Sequence, residues 1–153
     1  MEPNWLSDEE MRAWMAFNVG SRLIFEALDQ QLLRDADMPH TYYGILVMLS
    51  EAEGRSLRMS QLAGLLRYSR SRLTHAITSL ESRGWVRREE CPSDGRGLVA
   101  MLTDEGFDAL KAAAPGHVAE VRRLLLDGLS ADQIGQLRDI FQPIVGRLAP
   151  ETP

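Results

Sequence analysis

A single cysteine, Cys91, excludes any disulfide within the chain, and the three histidines at 40, 75 and 117 are too scattered to give with it a metal-ligand spacing. Lysine is almost missing: Lys111 stands alone beside sixteen arginines. No apolar run approaches the roughly 18 residues that cross a bilayer. The opening MEPNWLSDEE has neither the positive start nor the apolar stretch of a secretion signal, so a soluble, cytoplasmic protein without a membrane partner is expected. Nucleophile elbows of the G-x-S-x-G kind and phosphate-cradling glycine loops are missing too. Ser71 and His75 lie one helical turn apart, but no carboxylate is placed to orient that histidine. No catalytic residue, cofactor or metal is therefore expected.

What remains is a chain of 153 residues, 44% hydrophobic, enough for one domain with its own core. Its net charge of −5 conceals a segregation. Between Arg55 and Leu98 there are nine arginines and four acids, while the rest of the chain carries a surplus of acids. A basic block in an acidic protein is an electrostatic footprint for phosphate, and the acidic remainder discourages indiscriminate contact with nucleic acid.

That block reads as a short strand, two helices with a tight turn between them, and two strands around a Gly-rich loop. Ser69 is placed to cap the second helix and Gly84 to end it, giving a helix from about Arg70 to Arg83. At 100° per residue, Leu73, Ala76, Ile77 and Leu80 share one stripe, and Ser71, His75, Thr78 and Ser82 point the other way. A solvated helix face usually carries Glu and Lys; this one carries hydroxyls and an imidazole beside Arg70 and Arg72, groups that pair with base edges and phosphates. The preceding helix, roughly Met59 to Leu66, has small Ala63 where two helices would cross, and Arg67-Tyr68-Ser69 is the length of a helix-turn-helix turn. Trp85 to Cys91 and Leu98 to Leu102 are β-prone runs separated by Pro, Asp and Gly, hence a hairpin presenting Arg96 at its tip. Asp94, two residues away, is placed either to orient that arginine or simply to form the turn. The whole is a winged helix-turn-helix.

The sequence RMSQLAGLLRYSRSRLTHAITSLESRGWVRREECPSDGRGLVAMLTDEG resembles the DNA-binding core of MarR-type bacterial transcriptional regulators, through SRSRLTHAITSLESRGWV, the DGR of the wing and the LTDEG that follows it. The resemblance spans about Phe17 to Leu148 and is sharp in the core and compositional in the flanks. It implies a mostly α fold with a small β-wing, an intertwined helical homodimer, and a repressor bound to a palindromic operator. Release by a small molecule or an oxidant is also implied. Two recognition helices about a twofold axis would enter successive major grooves about 34 to 36 Å apart. For base contact the candidates are Arg70, Ser71, Arg72, Thr74, His75 and Thr78, with Arg96 in the minor groove; Arg58, Ser69 and Arg87 are candidates for phosphate. The alternative from the residues alone is an architectural DNA-binding protein of low specificity, without an effector.

In the flanks, Ser7-Asp8-Glu9-Glu10 is a capping-box pattern opening a long helix that continues past Leu33, with apolar residues over more than one stripe. Such a helix should be buried on more than one side, and a second subunit could supply the extra cover. Asp35 to Pro39 breaks it, and a second helix follows from about Thr41 to Ala52. Thr103 caps a helix reaching Leu126 that Pro115 should bend or divide, and Ser130-Ala131-Asp132-Gln133 opens a last helix that Pro143 should kink. The expected division is a dimerisation region, 1–40 with 116–149, around a DNA-binding lobe, 41–115. In the family an effector commonly sits between these regions; Trp14, Asn18, Arg22, His40, Tyr42, Tyr43 and Trp85 are the candidates for lining such a cavity, which would suit a small aromatic or phenolic molecule. Cys91 falls in the wing, where Glu89 and Glu90 oppose any activation by Arg87 and Arg88, so it reads as a tolerated strand residue rather than a redox sensor.

If the wing arginine enters a minor groove, Arg96→Ala should weaken operator binding strongly with little change in melting temperature. Unchanged affinity in a titration at physiological salt would remove the wing from the mechanism.

Overall fold

The computed structural model describes residues 3–91 and 97–149, so the wing tip with Asp94 and Arg96 lies outside the described residues. Helix α1 (Asp8–Ala36) starts on the expected capping box: the Ser7 hydroxyl accepts from the Glu10 N–H, and the Glu10 carboxylate accepts from the Ser7 N–H at 2.7 Å. That backbone bond, followed by the one to the Ser7 side chain, holds the Glu10 carboxyl below its ordinary pKa. The helix ends at Asp37, which takes the left-handed conformation (φ 49°). Pro39 then caps α2 (His40–Glu51), one residue earlier at each end than expected, because its φ of −62° and extended ψ launch the helix directly.

A short 3-10 turn leads to β1 (Ser56–Arg58), α3 (Met59–Leu66) and α4 (Arg70–Ser82). The turn between the two helices requires a left-handed residue, and Arg67 supplies it at φ 57°. Strands β2 (Val86–Glu90) and β3 (Leu98–Leu102) complete an antiparallel sheet of order β1-β3-β2, with Ala100 paired to Leu57 on one side and Arg88 on the other. This is the expected winged helix-turn-helix, strand for strand.

The core lies under this lobe. Ile45, Leu46 and Leu49 of α2, Leu62 of α3, the stripe Leu73, Ala76, Ile77 and Leu80 of α4, and Val86 and Ala100 of the sheet are all buried, together with Leu32 and Met38. Each large side chain so enclosed contributes roughly 1.5–3 kcal/mol.

Helix α5 (Asp104–Val121) lies along α1 and α2. Its cap, Thr103, accepts from the Gly106 N–H at 3.0 Å and donates to the Gly84 carbonyl at 2.6 Å, tying the return of the wing to the end of α4. Of the two outcomes expected at Pro115, division does not occur: the helix runs through it, held from both sides of the proline by Leu110, Ala113 and His117. The irregularity comes later, where 122–126 widens to a π-turn closed by the Asp127 N–H on the Arg122 carbonyl at 2.8 Å. Helix α6 (Ala131–Leu148) has its own capping box at Ser130 and Gln133 and continues through Pro143.

The cover expected for α1 on more than one side is not supplied within the single chain. Helix α1 buries only Leu28, Gln31 and Leu32, and α6 buries nothing; Trp14, Phe17, Leu23, Phe25, Ile140 and Val145 are all at least 45% exposed. The apolar excess of these helices is real, and the described residues leave much of it open.

Among the described glycines, Gly106 sits in the tightest approach. A Cβ there would fall on the Trp85 carbonyl oxygen and within 2.8 Å of Leu102 Cδ1, and backbone cannot yield as a side chain can. Gly106→Ala should therefore cost about 3 kcal/mol, read as a lower urea midpoint. Gly64→Ala, in open helical space, should instead stabilise by about 0.5–1 kcal/mol.

Candidate nucleic-acid interface

The polar face of α4 is held out to solvent by what its other face buries. Ser69 caps the helix by accepting from the Arg72 N–H at 3.2 Å, with Ser71 Oγ 3.4 Å from its hydroxyl. Arg70, Ser71, Arg72, Thr74, His75, Thr78 and Ser82 are exposed, whereas Leu73, Ala76, Ile77 and Leu80 are buried. The sequence period placed both sets.

Within the exposed face the side chains differ in what they have left to offer. Arg72 turns back: its guanidinium stacks over the Tyr68 ring at 4.0 Å and donates to Thr41 Oγ1 of α2 at 3.2 Å. The hydroxyls of Thr78, Ser79 and Ser82 donate to the carbonyls of Thr74, His75 and Thr78, at 2.9, 3.2 and 3.0 Å. Arg70, Thr74 and His75 make no such side-chain bond among the described residues.

Beside them a cleft of about 440 Å³ opens between α3, α4 and the base of the wing, and three arginines line it: Arg58, Arg70 and Arg88. Arg58 precedes α3, with its N–H bonded to Gln61 Oε1 at 3.2 Å. Arg87, on the exposed side of β2, pairs with Glu89 at 3.1 Å. Arg88, on the other side, was not singled out from the sequence. It is partly enclosed in the cleft wall, with Nε 2.6 Å from Glu81 Oε1 and Nη2 3.3 Å from Thr78 Oγ1. The alternation along β2 carries the signal for it, since a residue two before Glu90 and two after Val86 faces α4. Arg67 was missed as well; it donates to the Leu148 carbonyl at the end of α6 at 3.3 Å, joining the helix-turn-helix turn to the last helix. A groove-facing helix edge lined by guanidinium groups is suited to phosphate and base-edge contact.

The effector candidates fall in three places. Trp14 stacks with Phe17, which in turn meets Phe141 of α6, at centroid separations of 5.9 and 5.4 Å; Asn18 and Arg22 lie exposed on the same helix. Tyr42 and Trp85 flank the guanidinium of Arg83, which donates to the Asp37 carbonyl at 2.6 Å. His40 and Tyr43 meet where α1, α2 and α5 join, around a residue the sequence reading passed over, His117. Its ring is 4.3 Å from Tyr43 and 5.5 Å from His40, and its Nδ1 is 3.4 Å from Gln31 Oε1. Phe25 closes the far side of His40 edge-on at 5.9 Å, and Asp29 accepts from the His40 N–H at 2.7 Å. Burial lowers the pKa of both imidazoles, opposed at His40 by Asp29 and reinforced at His117 by His40. The same burial raises that of Tyr43. Cys91 is buried at the end of β2. Among the described residues no group of three or more His, Cys, Asp or Glu is arranged to hold a metal, and no helix is long and apolar enough to cross a membrane.

Comparison with known proteins agrees with this geometry. A model described as MarR family matches residues 36–97. The structure of Sco3205, a MarR family transcriptional regulator from Streptomyces coelicolor in complex with DNA, superposes with a TM-score of 0.93 at 48% identity, covering 98% of this chain and 94% of that one. AbsC, a MarR family transcriptional regulator from the same organism, superposes at 0.90 with 41% identity, covering 95% and 98%. The transcriptional repressor MprA of Escherichia coli is 30% identical over 118 residues; the match takes in 77% of this chain and 66% of that repressor.

Both imidazoles are depressed in the fold, so the folded chain binds fewer protons than the unfolded one just below the ordinary histidine pKa of about 6.5. Their contribution is complete above that value and is lost as pH falls through the lowered pKa values. The melting temperature, at constant protein concentration, should hold above about pH 7 and fall between about pH 6.5 and 5. A His40→Asn, His117→Gln variant should show a much shallower fall over that interval; an identical fall would place the sensitivity elsewhere.

Proposed function

The chain belongs to the MarR family of transcriptional regulators, and on that premise we propose that it is a repressor that binds a palindromic operator as a homodimer. The observation that carries the proposal is the two-sidedness of α4. Four buried apolar residues fix the helix, and its exposed side, with the arginine-lined cleft beside it, is open to a duplex. Arg70, Thr74 and His75 are the foremost base-reading groups in this reading, and Ser71 and Thr78 share their face. Arg58, Ser69 and Arg87 serve phosphate, and Arg72 braces the helix on Tyr68 and Thr41 while presenting its charge to the backbone. Arg96, with Asp94 as its neighbour, reaches the minor groove.

Dimerisation is supported by surface arithmetic. A compact monomer of 17.2 kDa exposes roughly 7,800 Å², whereas this chain exposes 10758 Å². Large apolar residues of α1 and α6 stand open, and the size of the excess suits one side of an extensive obligate interface. Residues 1–40 and 116–149 thus form the dimerisation region and 41–115 the reading lobe. A small aromatic or phenolic effector would act at their junction. It would find His40 and Tyr43 there, Tyr42 and Trp85 on the lobe, and Trp14, Asn18 and Arg22 on the dimer helix. By favouring one spacing of the two lobes it would release the operator.

Footprinting on genomic fragments, with sedimentation at the same concentrations, tests the proposal. The expected result is a dimer protecting an inverted repeat whose half-sites are centred about 10–10.5 base pairs, or a multiple, apart. Diffuse protection at every sequence would favour an architectural role, and a monomer would remove the symmetry the operator requires.

A further inference from the structure

Thr78 is exposed on the outward side of α4, yet its polar atom faces inward. A hydroxyl has one proton, and Thr78 Oγ1 gives it to the Thr74 carbonyl at 2.9 Å. The same oxygen accepts from Arg88 Nη2 at 3.3 Å, and Arg88 is itself anchored by Glu81, with Nε 2.6 Å from the carboxylate oxygen. The Arg88 and Glu81 side chains are only 25% and 31% exposed, so this anchor is set into the joint between β2 and α4 rather than waving in solvent. Two clasps, one from the helix backbone and one from the sheet, therefore fix which branch of the threonine lies inside. The branch left to the surface is its methyl, Cγ2.

The neighbouring hydroxyls reinforce this. Ser79 and Ser82 also donate to carbonyls of their own helix, so the second half of α4 offers no hydroxyl proton to a base acceptor. Its first half does carry hydrogen-bonding groups, in Arg70, Thr74 and His75. The face is thus divided, polar near its start and apolar at Thr78. In the major groove the one apolar feature that distinguishes a base pair is the C5-methyl of thymine.

We propose that Thr78 is a specificity-determining residue that selects thymine in each half-site by contact between its outward methyl and the thymine C5-methyl, with Arg88 and Glu81 as positioning residues that hold its hydroxyl away from the duplex. This rests on the operator-binding reading above and adds to it the chemistry of one base position.

The test separates methyl from hydroxyl on both molecules. Thr78→Val keeps the methyl and loses the hydroxyl; Thr78→Ser does the reverse, and exposure of the site lets either variant fold. Affinity is measured on the footprinted operator and on versions in which each symmetric pair of thymidines is replaced by deoxyuridine. Thr78→Val should bind within about twofold of the native chain. Thr78→Ser should lose about tenfold, two methyl contacts per dimer. Uracil at one symmetric pair should weaken the native chain and Thr78→Val by a similar factor and leave Thr78→Ser unchanged. The proposal is overturned if Thr78→Val falls while Thr78→Ser holds, which would make the hydroxyl the reading group, if Thr78→Val falls as far as Thr78→Ser, which would deny the methyl the leading part, or if no uracil substitution affects the native chain. A native chain that protects no defined sequence would instead sink the operator reading beneath it.

Discussion

The burial of four residues on one side of a thirteen-residue helix is the constraint on which everything else depends. Leu73, Ala76, Ile77 and Leu80 are at most 3% exposed and pack against helices from both sides of the turn and against the sheet, so α4 cannot roll. Because it cannot roll, the residues between them face outward whatever their chemistry, and the chemistry there is polar, small and cationic. The wing is fixed to the same body through Thr103, Gly106 and the pairing of Arg88 with Glu81. Helix α4 and the wing strands are in this sense one body, and the arginine-lined cleft is the seam between its parts.

The remainder of the chain follows a different economy. Helices α1 and α6 carry apolar side chains far beyond what their own chain encloses. An isolated helix gains nothing from exposed tryptophan, phenylalanine and isoleucine, and a chain that kept them so would aggregate. The core beneath α4 is closed, with Leu32 and Met38 contributing to it, whereas the apolar faces of α1 and α6 are left open.

How much of this was legible in the sequence depended on how local its cause was. Ser69 and Gly84 bound α4 through first-turn and last-turn chemistry, and the 3.6-residue period assigned its faces, so the structure differs from the sequence reading there by a single residue at the carboxyl end. The wing strands were equally visible through their turn residues. Pro115 does not divide α5, because its local penalty is outweighed by packing of α5 along α1 that no local rule sees. The one-residue shift of α2 is likewise small and comes from Pro39 acting as a launch point rather than only as a terminator. His117 escaped notice because its partner is remote in the chain, Gln31 lying 86 residues away. Arg88 has its partners nearby, Glu81 and Thr78, but its enclosure shows only once β2 is laid against α4. The effector candidates were chosen by residue type alone, and residue type could not reveal that one chain would distribute them over three places.

The contact between Gln31 and His117 has one more implication. The Gln31 amide nitrogen donates to Asp35 Oδ2 at 3.0 Å, and an ionised carboxylate can only accept, so the amide cannot be turned the other way. Its oxygen consequently faces the imidazole, and the proton between them must belong to Nδ1. The neutral ring is thereby set in a single tautomer, with an unshared electron pair on Nε2. At the meeting point of three helices the protein keeps a Brønsted base in reserve, its orientation dictated by an aspartate that never touches it.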